Sequence, residues 1–370
     1  MRNIWLFLYT FAAFLHVLAY GLHFSFARYY VKLTLGYDYN FIILLSAAEL
    51  LPLLFAVIAG VLADIIGRRK IIFVGFIGSI MYLLIAIYGL NVFIPSIAIA
   101  ILSISIVNIA TAGVVLDVGR ISGRVYAIYT IGMTLGWGIA GILLSILPTD
   151  LRTVYTLIAI LEGLMVTIYI LFFPSESIEH ASFKEIVNAI SASGKDLLRF
   201  FIAVILATLA MELIWNGYSF KLIDIVHEDK LLFGIVYATL PSITGVIGRY
   251  IAGALVDKHS PVHVFLGTIL MLIIVATGLH YTTGVLAILF WLIPTYALYD
   301  ISSAISIGRF LGKKKQATAM GIVTLATAIG GLPLLTLPLI LGKLTIETIY
   351  IIILVSLAIS LLLPARKIQV

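Results

Sequence analysis

The sequence predicts an all-α polytopic membrane protein whose twelve transmembrane helices form two pseudo-symmetric six-helix bundles. Three observations lead to this prediction: the composition, the number of long apolar segments, and a repeat between the two halves of the chain. Of the 370 residues, 62% are hydrophobic and only 11% are charged. Soluble globular domains contain about 45–50% apolar and about 25% charged residues, so this composition excludes an ordinary soluble protein.

Charge and cysteine content narrow the function further. The formal net charge is +6, but the basic residues stand in short loops between apolar segments, which favours membrane orientation over nucleic-acid binding. The chain has no cysteine and therefore neither a disulfide nor a thiolate metal site. The sequence contains no G-x-x-x-x-G-K-[ST] motif, metal-ligand spacing or nucleophile–base pair. We therefore expect no cofactor, no metal and no enzymatic activity.

Twelve segments are long and apolar enough to cross a bilayer, which requires about 20 residues each. A polar stretch at 174–197 separates the sixth span from the seventh, and we interpret it as a linker with an amphipathic segment. The predicted domains are therefore residues 1–173 and 198–370. The predicted spans are 4–27, 40–62, 71–90, 93–116, 124–147, 152–173, 198–221, 231–256, 262–281, 284–307, 317–340 and 345–363.

Lysine and arginine fall unequally on the two sides of this arrangement. Sixteen lie on the side of both termini and the linker, six lie on the other side, and Arg249 lies within the eighth span. Cytoplasmic loops carry an excess of basic residues, so both termini and the linker are predicted to be cytoplasmic. We expect a multi-pass protein of the cell membrane.

The two halves of the chain repeat two short motifs in the same order. G-V-L-A-D at Gly60–Asp64 returns as G-A-L-V-D at Gly253–Asp257, with an offset of 193 residues. G-R-I-S-G-R at Gly119–Arg124 returns as G-R-F-L-G-K at Gly308–Lys313, with an offset of 189 residues. A parallel repeat of six spans is typical of transporters built from two halves around a central site.

The segment Gly60–Lys70, G-V-L-A-D-I-I-G-R-R-K, lies between the second and third spans. It resembles the signature loop of the major facilitator superfamily, G-x-L-x-D-x-x-G-R-[RK], at the position where that family carries it. With the twelve-span topology and the repeat, the resemblance covers the whole chain. It implies the major facilitator fold and a secondary transporter that works by alternating access.

The resemblance also implies roles for individual residues near this loop. Asp64 is expected to contact the start of the eleventh span near Gln316–Thr318, where the helix dipole favours a carboxylate. Arg68 is expected to reach Asp117, and Asp257 is expected to face the start of the fifth span in a weaker contact. These groups would hold the halves together in the outward-facing state; alternatively, the loop only anchors helices at the interface. The expected latch residues are Gly60, Asp64, Gly67, Arg68, Asp117 and Asp257.

Charged residues inside the spans cost about 2.5–3.5 kcal/mol each at a helix centre and therefore indicate function or a buried partner. Glu212 in the seventh span shares a helix face with Trp215 and Asn216, three and four residues later. Asp300 in the tenth span follows Tyr296 by four residues. In the family that the chain resembles, both helices line the central cavity. We predict a role in substrate binding or proton coupling, with a structural hydrogen bond between helices as the alternative for each carboxylate.

Arg249 stands in G-R-Y-I-A-G-A-L-V-D, residues Gly248–Asp257. This segment is similar to the G-R-x-x-x-G-x-L-x-D stretch of monocarboxylate and oxalate/formate transporters, in which the arginine contacts the substrate carboxylate. A guanidinium stays charged when buried and binds a carboxylate through two hydrogen bonds. The alternative is a permanent salt bridge to Glu212 or Asp300.

The first span carries His16, Tyr20 and His23 along one stripe, where histidine could relay a proton. Glu49 in the second span could pair with His16 or His23, and the following Pro52 is expected to loosen that helix. A satisfied hydrogen bond is the alternative for these histidines.

Glu162 lies in the sixth span, which is peripheral in the family that the chain resembles. A structural carboxylate, protonated or bonded to tyrosine, is therefore preferred there. Asn108 stands where many drug/proton antiporters of the family have an arginine in span four. Trp137 stands where their span-five motif has a proline, so both positions disfavour an antiporter of that type.

The sequence thus favours a proton-coupled secondary transporter of a small organic anion of the monocarboxylate type. A proton-coupled exporter of amphipathic or cationic compounds, of the multidrug type, is the first alternative. A non-transporting sensor or assembly factor on the same scaffold is the second, and the intact Asp64, Arg68 and Asp117 disfavour it. The expected partners are a small-molecule substrate, protons or another coupling ion, and lipid. We expect a monomer that binds no nucleic acid.

Overall fold

The computed structural model describes residues 2–35, 39–147, 150–174, 180–227, 229–335 and 346–362. Within these ranges the chain forms helices and short connections and contains no strand, which confirms the predicted all-α class. Some sequence-based predictions lie outside the described residues: part of the linker at 175–179, the span ends at 336–340, 345 and 363, and the basic residues Lys343, Arg366 and Lys367.

We number the membrane helices α1 to α12 in chain order, and several of them consist of consecutive segments. Their bounds are α1 Arg2–Leu35; α2 Tyr39–Leu50, Leu51–Phe55 and Ala56–Ile66; α3 Arg68–Ile72 and Gly75–Tyr88; α4 Phe93–Val118; α5 Gly123–Ile146; α6 Leu151–Leu171; α7 Phe183–Ile225; α8 Lys230–Gly234, Ile235–Thr239 and Leu240–Lys258; α9 Pro261–Tyr281; α10 Gly284–Trp291 and Thr295–Leu311; α11 Gln316–Gly331 with a short turn at Leu332–Leu335; and α12 Ile346–Leu361.

Nine stretches of the described residues are long and apolar enough to cross a membrane. One of them, Arg68–Val118, contains α3 and α4, which a tight turn at Gly89–Val92 joins. Two shorter apolar helices, Gln316–Gly331 and Ile346–Leu361, complete the set. The described part of the chain therefore accounts for twelve apolar helices, the number that the sequence predicts.

The helices α2, α8 and α10 each change geometry next to a proline. α2 tightens into a 3₁₀ turn over Leu51–Phe55 around Pro52, α8 contains a π-helical turn just before Pro241, and α10 is interrupted at Pro294. Proline has no N–H to donate, and its ring clashes with the preceding turn of a helix. The irregularity of α2 follows the expectation for Pro52, whereas the sequence analysis treated α8 and α10 as regular.

The linker continues directly into the seventh helix. α7 begins at Phe183 with a capping box, in which the Ser182 hydroxyl and the Glu185 carboxylate each accept a backbone N–H of the other residue. The helix then bends at Gly194, where φ is +34°. The predicted boundary at residue 198 therefore lies inside a helix, because the capped segment continues through a glycine bend and not through a loop. The division into two domains stays a prediction.

Two of the helix pairs along which the first six helices meet the last six are α2 with α11 and α5 with α8. A Cβ atom at Gly60 would lie 2.3 Å from the carbonyl oxygen of Ala317, and one at Gly123 would lie 2.0 Å from Val256 Cγ2. Only glycine allows these surfaces to come so close. The internal repeat relates α2 to α8 and α5 to α11, so the two pairs are equivalent positions of one pseudo-symmetric arrangement.

Candidate functional site

Asp64 joins the two sets of six helices at the end of the molecule formed by residues 64–70 and 312–318, which we call the latch face. Its Oδ1 accepts a hydrogen bond from the backbone N–H of Ala317 at 3.2 Å. Its Oδ2 accepts hydrogen bonds from the backbone N–H and the hydroxyl of Thr318 at 2.8 and 2.7 Å. The buried carboxylate thus binds free N–H groups in the first turn of α11, where the helix dipole favours a negative charge.

Arg68 neutralises Asp64 and extends the contact to α4. Its Nε and Nη2 atoms donate to Asp64 Oδ1 at 3.0 and 2.7 Å, and Nη2 lies 2.6 Å from Asp117 Oδ2. The backbone N–H of Lys314 donates to Asp117 Oδ1 at 3.3 Å. The partners of Asp64 and Arg68 are those that the family resemblance implies, but the role of these residues as a conformational latch stays a prediction.

The turn between α2 and α3 requires glycine at position 67. Gly67 has a φ of +113°, which L-residues rarely adopt, and a Cβ atom there would lie 2.7 Å from the imidazole of His180. The linker also contacts this turn, because the backbone N–H of Ala181 donates to the carbonyl oxygen of Asp64 at 3.0 Å. His180 and Ala181 of the linker therefore pack directly on the latch face.

Asp257 makes the pseudo-symmetric contact with the first turn of α5. It accepts hydrogen bonds from the Ser122 hydroxyl at 3.0 Å and from the backbone N–H groups of Gly123 and Arg124 at 2.6 and 3.1 Å. Unlike Asp64, this residue is exposed. Asp257 therefore faces the helix start that the resemblance implies, in surroundings wetter than those of Asp64.

Arg249 forms a buried cluster in the middle of the helices. Its Nη1 donates to Asp300 Oδ2 on α10, and its Nε donates to the hydroxyl of Thr134 on α5. Its guanidinium carbon lies 5.6 Å from the ring centroid of Tyr296, which is within the range of a cation–π contact. Of the two carboxylates considered as partners, Arg249 binds Asp300. The bond to Thr134 also joins the last six helices to the first six.

An aromatic row extends from this cluster towards Glu212. The ring of Trp215 lies 5.4 Å from Tyr296 and 6.2 Å from Trp291 between centroids. Asn216 donates from Nδ2 to the Glu212 carboxylate at 3.1 Å and to its carbonyl oxygen at 2.9 Å. Glu212 is partly exposed and Asn216 is exposed, although both belong to an apolar span. The predicted residues of α7 and α10 therefore lie side by side with Arg249 and Asp300.

His16 lies in a second buried cluster, inside the first six helices. Its Nδ1 lies 3.1 Å from Glu162 Oε1 on α6, and its Nε2 lies 2.6 Å from Asn108 Nδ2 on α4. His16 is 5% exposed and Glu162 is fully buried. Glu162 is therefore paired with histidine and not with the expected tyrosine, while its role as a protonated structural carboxylate stays a prediction. α6 packs directly against α1, which brings a peripheral helix to the His16 side chain.

His23 forms a similar pair two turns further along α1. Its Nε2 lies 3.1 Å from Glu49 Oε1, and its Nδ1 lies 2.9 Å from the Tyr155 hydroxyl. His23 and Tyr155 are fully buried and Glu49 is 5% exposed. Of the two histidines considered for Glu49, the structure pairs it with His23. The ring of Tyr20 lies 6.4 Å from both imidazole rings.

Three residues of these clusters were not identified as site residues from the sequence. Thr134 and Tyr155 are ordinary helix residues whose importance depends on the rotation and packing of α5 and α6. Glu162 was noticed as a buried charge, but its partner could not be identified without knowing which face of α6 meets α1. The sequence does indicate that such partners exist, because it places several ionisable residues within spans, and an ionisable side chain needs a partner in an apolar environment.

Comparison with known proteins agrees with this architecture. The profile of the Major Facilitator Superfamily matches residues 9–334. The chain therefore belongs to this family of membrane transporters, which points to secondary transport and away from an enzyme. No curated protein sequence matches the chain.

Solved structures show the same fold at low sequence identity. The crystal structure of the human organic anion transporter MFSD10 (TETRAN) has a TM-score of 0.73 at 15% identity, covering 97% of this chain and 99% of that chain. The transporter FucP in the outward conformation has a TM-score of 0.70 at 16% identity, covering 100% and 99%. A variant of the E. coli fucose:proton symporter FucP has a TM-score of 0.67 at 15% identity, with the same coverage of 100% and 99%. These identities support the fold alone.

Proposed function

We propose that this protein moves a small organic anion of the monocarboxylate type across the cell membrane by alternating access, coupled to protons. The observation that carries this proposal is the placement of Arg249. Its side chain is 4% exposed, and it binds Asp300 and Thr134 where the first six helices meet the last six. A guanidinium remains charged in proteins and matches a carboxylate through parallel hydrogen bonds. The carboxylate of a substrate can therefore take the place of Asp300.

The charge balance of this cluster explains why a proton would accompany the anion. Arg249 and Asp300 together are neutral, so a second carboxylate can bind Arg249 without a net charge only if Asp300 becomes protonated. The Asp300 side chain is 18% exposed, compared with 4% for Arg249, so water reaches the carboxylate more easily. Asp300 is our first candidate for the proton carrier of this site, and the partly exposed Glu212 is the second.

The orientation proposed here places the latch face in the cytoplasm, with both termini on the same side. The excess of basic residues on that side supports this orientation. The interactions of Asp64 with Ala317 and Thr318 then close the transporter towards the cytoplasm, as in an outward-facing state. Residues 1–173 and 198–370 are joined by the linker. Transport would require these two units to rock against each other and break the contacts of the latch face.

An exporter of cationic compounds is the second candidate, favoured by the aromatic row beside Glu212. Trp215, Trp291 and Tyr296 lie close together, and the ring of Tyr237 lies 5.5 Å from Trp291. Aromatic faces next to a carboxylate form a suitable environment for a lipophilic cation. In this function Arg249 would be a structural partner of Asp300, and Glu212 would carry the exchanged proton.

Transport by the purified protein in proteoliposomes separates these functions. A panel of monocarboxylates that includes labelled lactate, and the cation tetraphenylphosphonium, serve as probes while an internal dye reports pH. We expect a monocarboxylate to acidify the lumen, Arg249→Lys to abolish this signal, and the control Arg152→Lys, an exposed residue at the start of α6, to retain it. Proton release driven by the cation, tolerant of Arg249→Lys but lost in Glu212→Gln, would replace the anion proposal with the exporter. Absence of exchange for every probe would contradict both functions and favour a non-transporting protein.

A further inference from the structure

The His16 cluster is separate from the Arg249 cluster and has no part in the anion site. It consists of three side chains from three helices: His16 on α1, Asn108 on α4 and Glu162 on α6. A histidine and a carboxylate at 5% and 0% exposure are costly to place in an apolar bundle, where a hydrophobic pair of the same size would pack at no electrostatic cost. The hydrogen bonding of this cluster indicates what it does.

Asn108 is oriented for the neutral form of His16. Its Nδ2 donates to His16 Nε2 at 2.6 Å, which leaves the proton of the imidazole on Nδ1, facing Glu162 Oε1 at 3.1 Å. In this arrangement the Oδ1 atom of Asn108 is buried and has no hydrogen-bond partner among the described residues. A buried acceptor without a partner costs about 1–3 kcal/mol. The cluster thus contains a hydrogen-bond acceptor that could bond the N–H formed if a proton is added to His16 Nε2.

Rotation of the Asn108 amide by half a turn satisfies the protonated form. Oδ1 then faces Nε2 and accepts its added proton, while Nδ1 continues to donate to Glu162. An amide carries both an acceptor and a donor, so the same side chain can bond either state of the imidazole. The imidazolium formed in this way stands against a carboxylate, which stabilises its charge. Asn108 is only partly buried, whereas His16 is 5% exposed. Asn108 therefore lies between His16 and the more exposed face of α4.

We propose that His16, Glu162 and Asn108 form a proton-binding site in the first six helices, in which rotation of the Asn108 amide accompanies protonation of His16. The site is additional to Asp300 and Glu212, and it rests on the proposed function only in that the bound proton would be a coupling ion. A second proton carried with one anion would make transport electrogenic. The membrane potential would then contribute about 2.3 kcal/mol per 100 mV for the extra charge.

The surroundings of His16 explain why this pair, and not the similar His23 pair, binds the proton. Among the described residues, His23 and Tyr155 are fully buried and Glu49 is 5% exposed, whereas Asn108 of the His16 cluster is partly exposed. The two pairs are therefore matched in chemistry and differ in access. The titratable groups in contact with His16 are Glu162 from α6 and Tyr20 from α1, and the neighbouring His23 in turn contacts Glu49 from α2 and Tyr82 from α3.

The protonation state of His16 can be measured without any substrate. The full chain, labelled with ¹⁵N-histidine and reconstituted in lipid nanodiscs, is followed by solid-state NMR between pH 5 and pH 9. His16→Gln identifies the His16 signals among the seven histidines. If that variant does not fold, the contact between His16 Nε2 and a ¹⁵N-labelled Asn108 amide identifies them. We expect an unprotonated Nε2 at high pH and two protonated ring nitrogens at low pH.

Substitution of the partners tests the mechanism. Asn108→Asp provides a permanent acceptor and should raise the midpoint of the His16 titration by one pH unit or more. Glu162→Gln should lower it by a similar amount, and Glu49→Gln, in the matched His23 pair, should leave it within about 0.3 units because it acts from further away. His16 remaining in one protonation state throughout, or a midpoint that Asn108→Asp does not raise, would overturn the proposal. Since no transported compound is needed, this result is independent of whether the anion proposal fails.

Discussion

The guanidinium of Arg249 donates a hydrogen bond to the hydroxyl of Thr134 halfway along α5, and this contact crosses from the last six helices to the first six. The same guanidinium donates to Asp300 within its own half. A buried cation therefore links the two halves at the level of the proposed anion site. In the proposed function, an anion that draws Arg249 away from Thr134 would change the interface between the halves and so couple its binding to the conformational change.

Removal of one member of the Arg249–Asp300 pair should destabilise the protein more than removal of both. Loss of one partner of a buried ion pair costs about 3–5 kcal/mol, because the other charge stays buried, whereas a neutral pair avoids that cost. Thermal unfolding in detergent should show a large drop in Tm for Arg249→Gln and a partial recovery in the double variant with Asp300→Asn. Additive losses in the double variant would show that the two side chains do not interact in solution.

Asp64→Asn should open the latch face. The substitution removes charge-assisted hydrogen bonds worth about 1.5–3 kcal/mol, which corresponds to a roughly tenfold to hundredfold change in the population of the open state. The chain has no cysteine, so Lys70→Cys and Lys313→Cys, both exposed on the latch face, accept spin labels selectively. Pulsed dipolar spectroscopy should show a larger long-distance population in Asp64→Asn.

Asp257→Asn provides the matched control for that measurement. Asp257 accepts three hydrogen bonds from the start of α5, but it is exposed, whereas Asp64 is 2% exposed. Water replaces a lost hydrogen bond at low cost on the surface and not in the interior. The distance distribution should therefore change less in Asp257→Asn, and equal changes would contradict a dominant role for the Asp64 side of the interface.

The helices could be predicted because spans follow from apolar runs of fixed length. The Asp64 contacts could be predicted only because the loop that carries Asp64 resembles the signature loop of a known family. The partners of His16, His23 and Arg249 could be narrowed to a few carboxylates but not chosen, since the choice depends on the rotation of each helix about its axis. Thr134 gave no signal because a threonine hydroxyl in a helix bonds its own backbone as readily as a distant side chain. Tyr155 gave none because the partner of its hydroxyl depends on the rotation of α6.

Gly60→Ala should strongly change the separation of the two halves at the latch face, whereas Gly267→Ala should leave it almost unchanged. A Cβ atom at Gly60 meets the carbonyl oxygen of Ala317 at 2.3 Å, so α2 and α11 must separate, while nothing lies within 4 Å of a Cβ atom at Gly267 on α9. The spin-label distances across the latch face should change strongly in the first variant. In the second, alanine replaces glycine in a helix and should raise stability by up to about 1 kcal/mol. A functional Gly60→Ala protein with unchanged distances would show that the close contact is not required.

Two buried tyrosines that face His23 should respond differently to loss of their hydroxyl groups. Tyr155 and Tyr82 are both fully buried, and their rings lie 6.0 and 5.7 Å from the His23 ring. The Tyr155 hydroxyl bonds His23 Nδ1, so Tyr155→Phe leaves a buried ring nitrogen unpaired and should cost about 1–3 kcal/mol of stability. The Tyr82 hydroxyl has no hydrogen-bond partner in the described part of the chain, so Tyr82→Phe should be neutral or stabilising. Thermal unfolding of the two variants side by side checks this difference, and an equal loss of stability would mean that the Tyr82 hydroxyl also takes part in the His23 cluster.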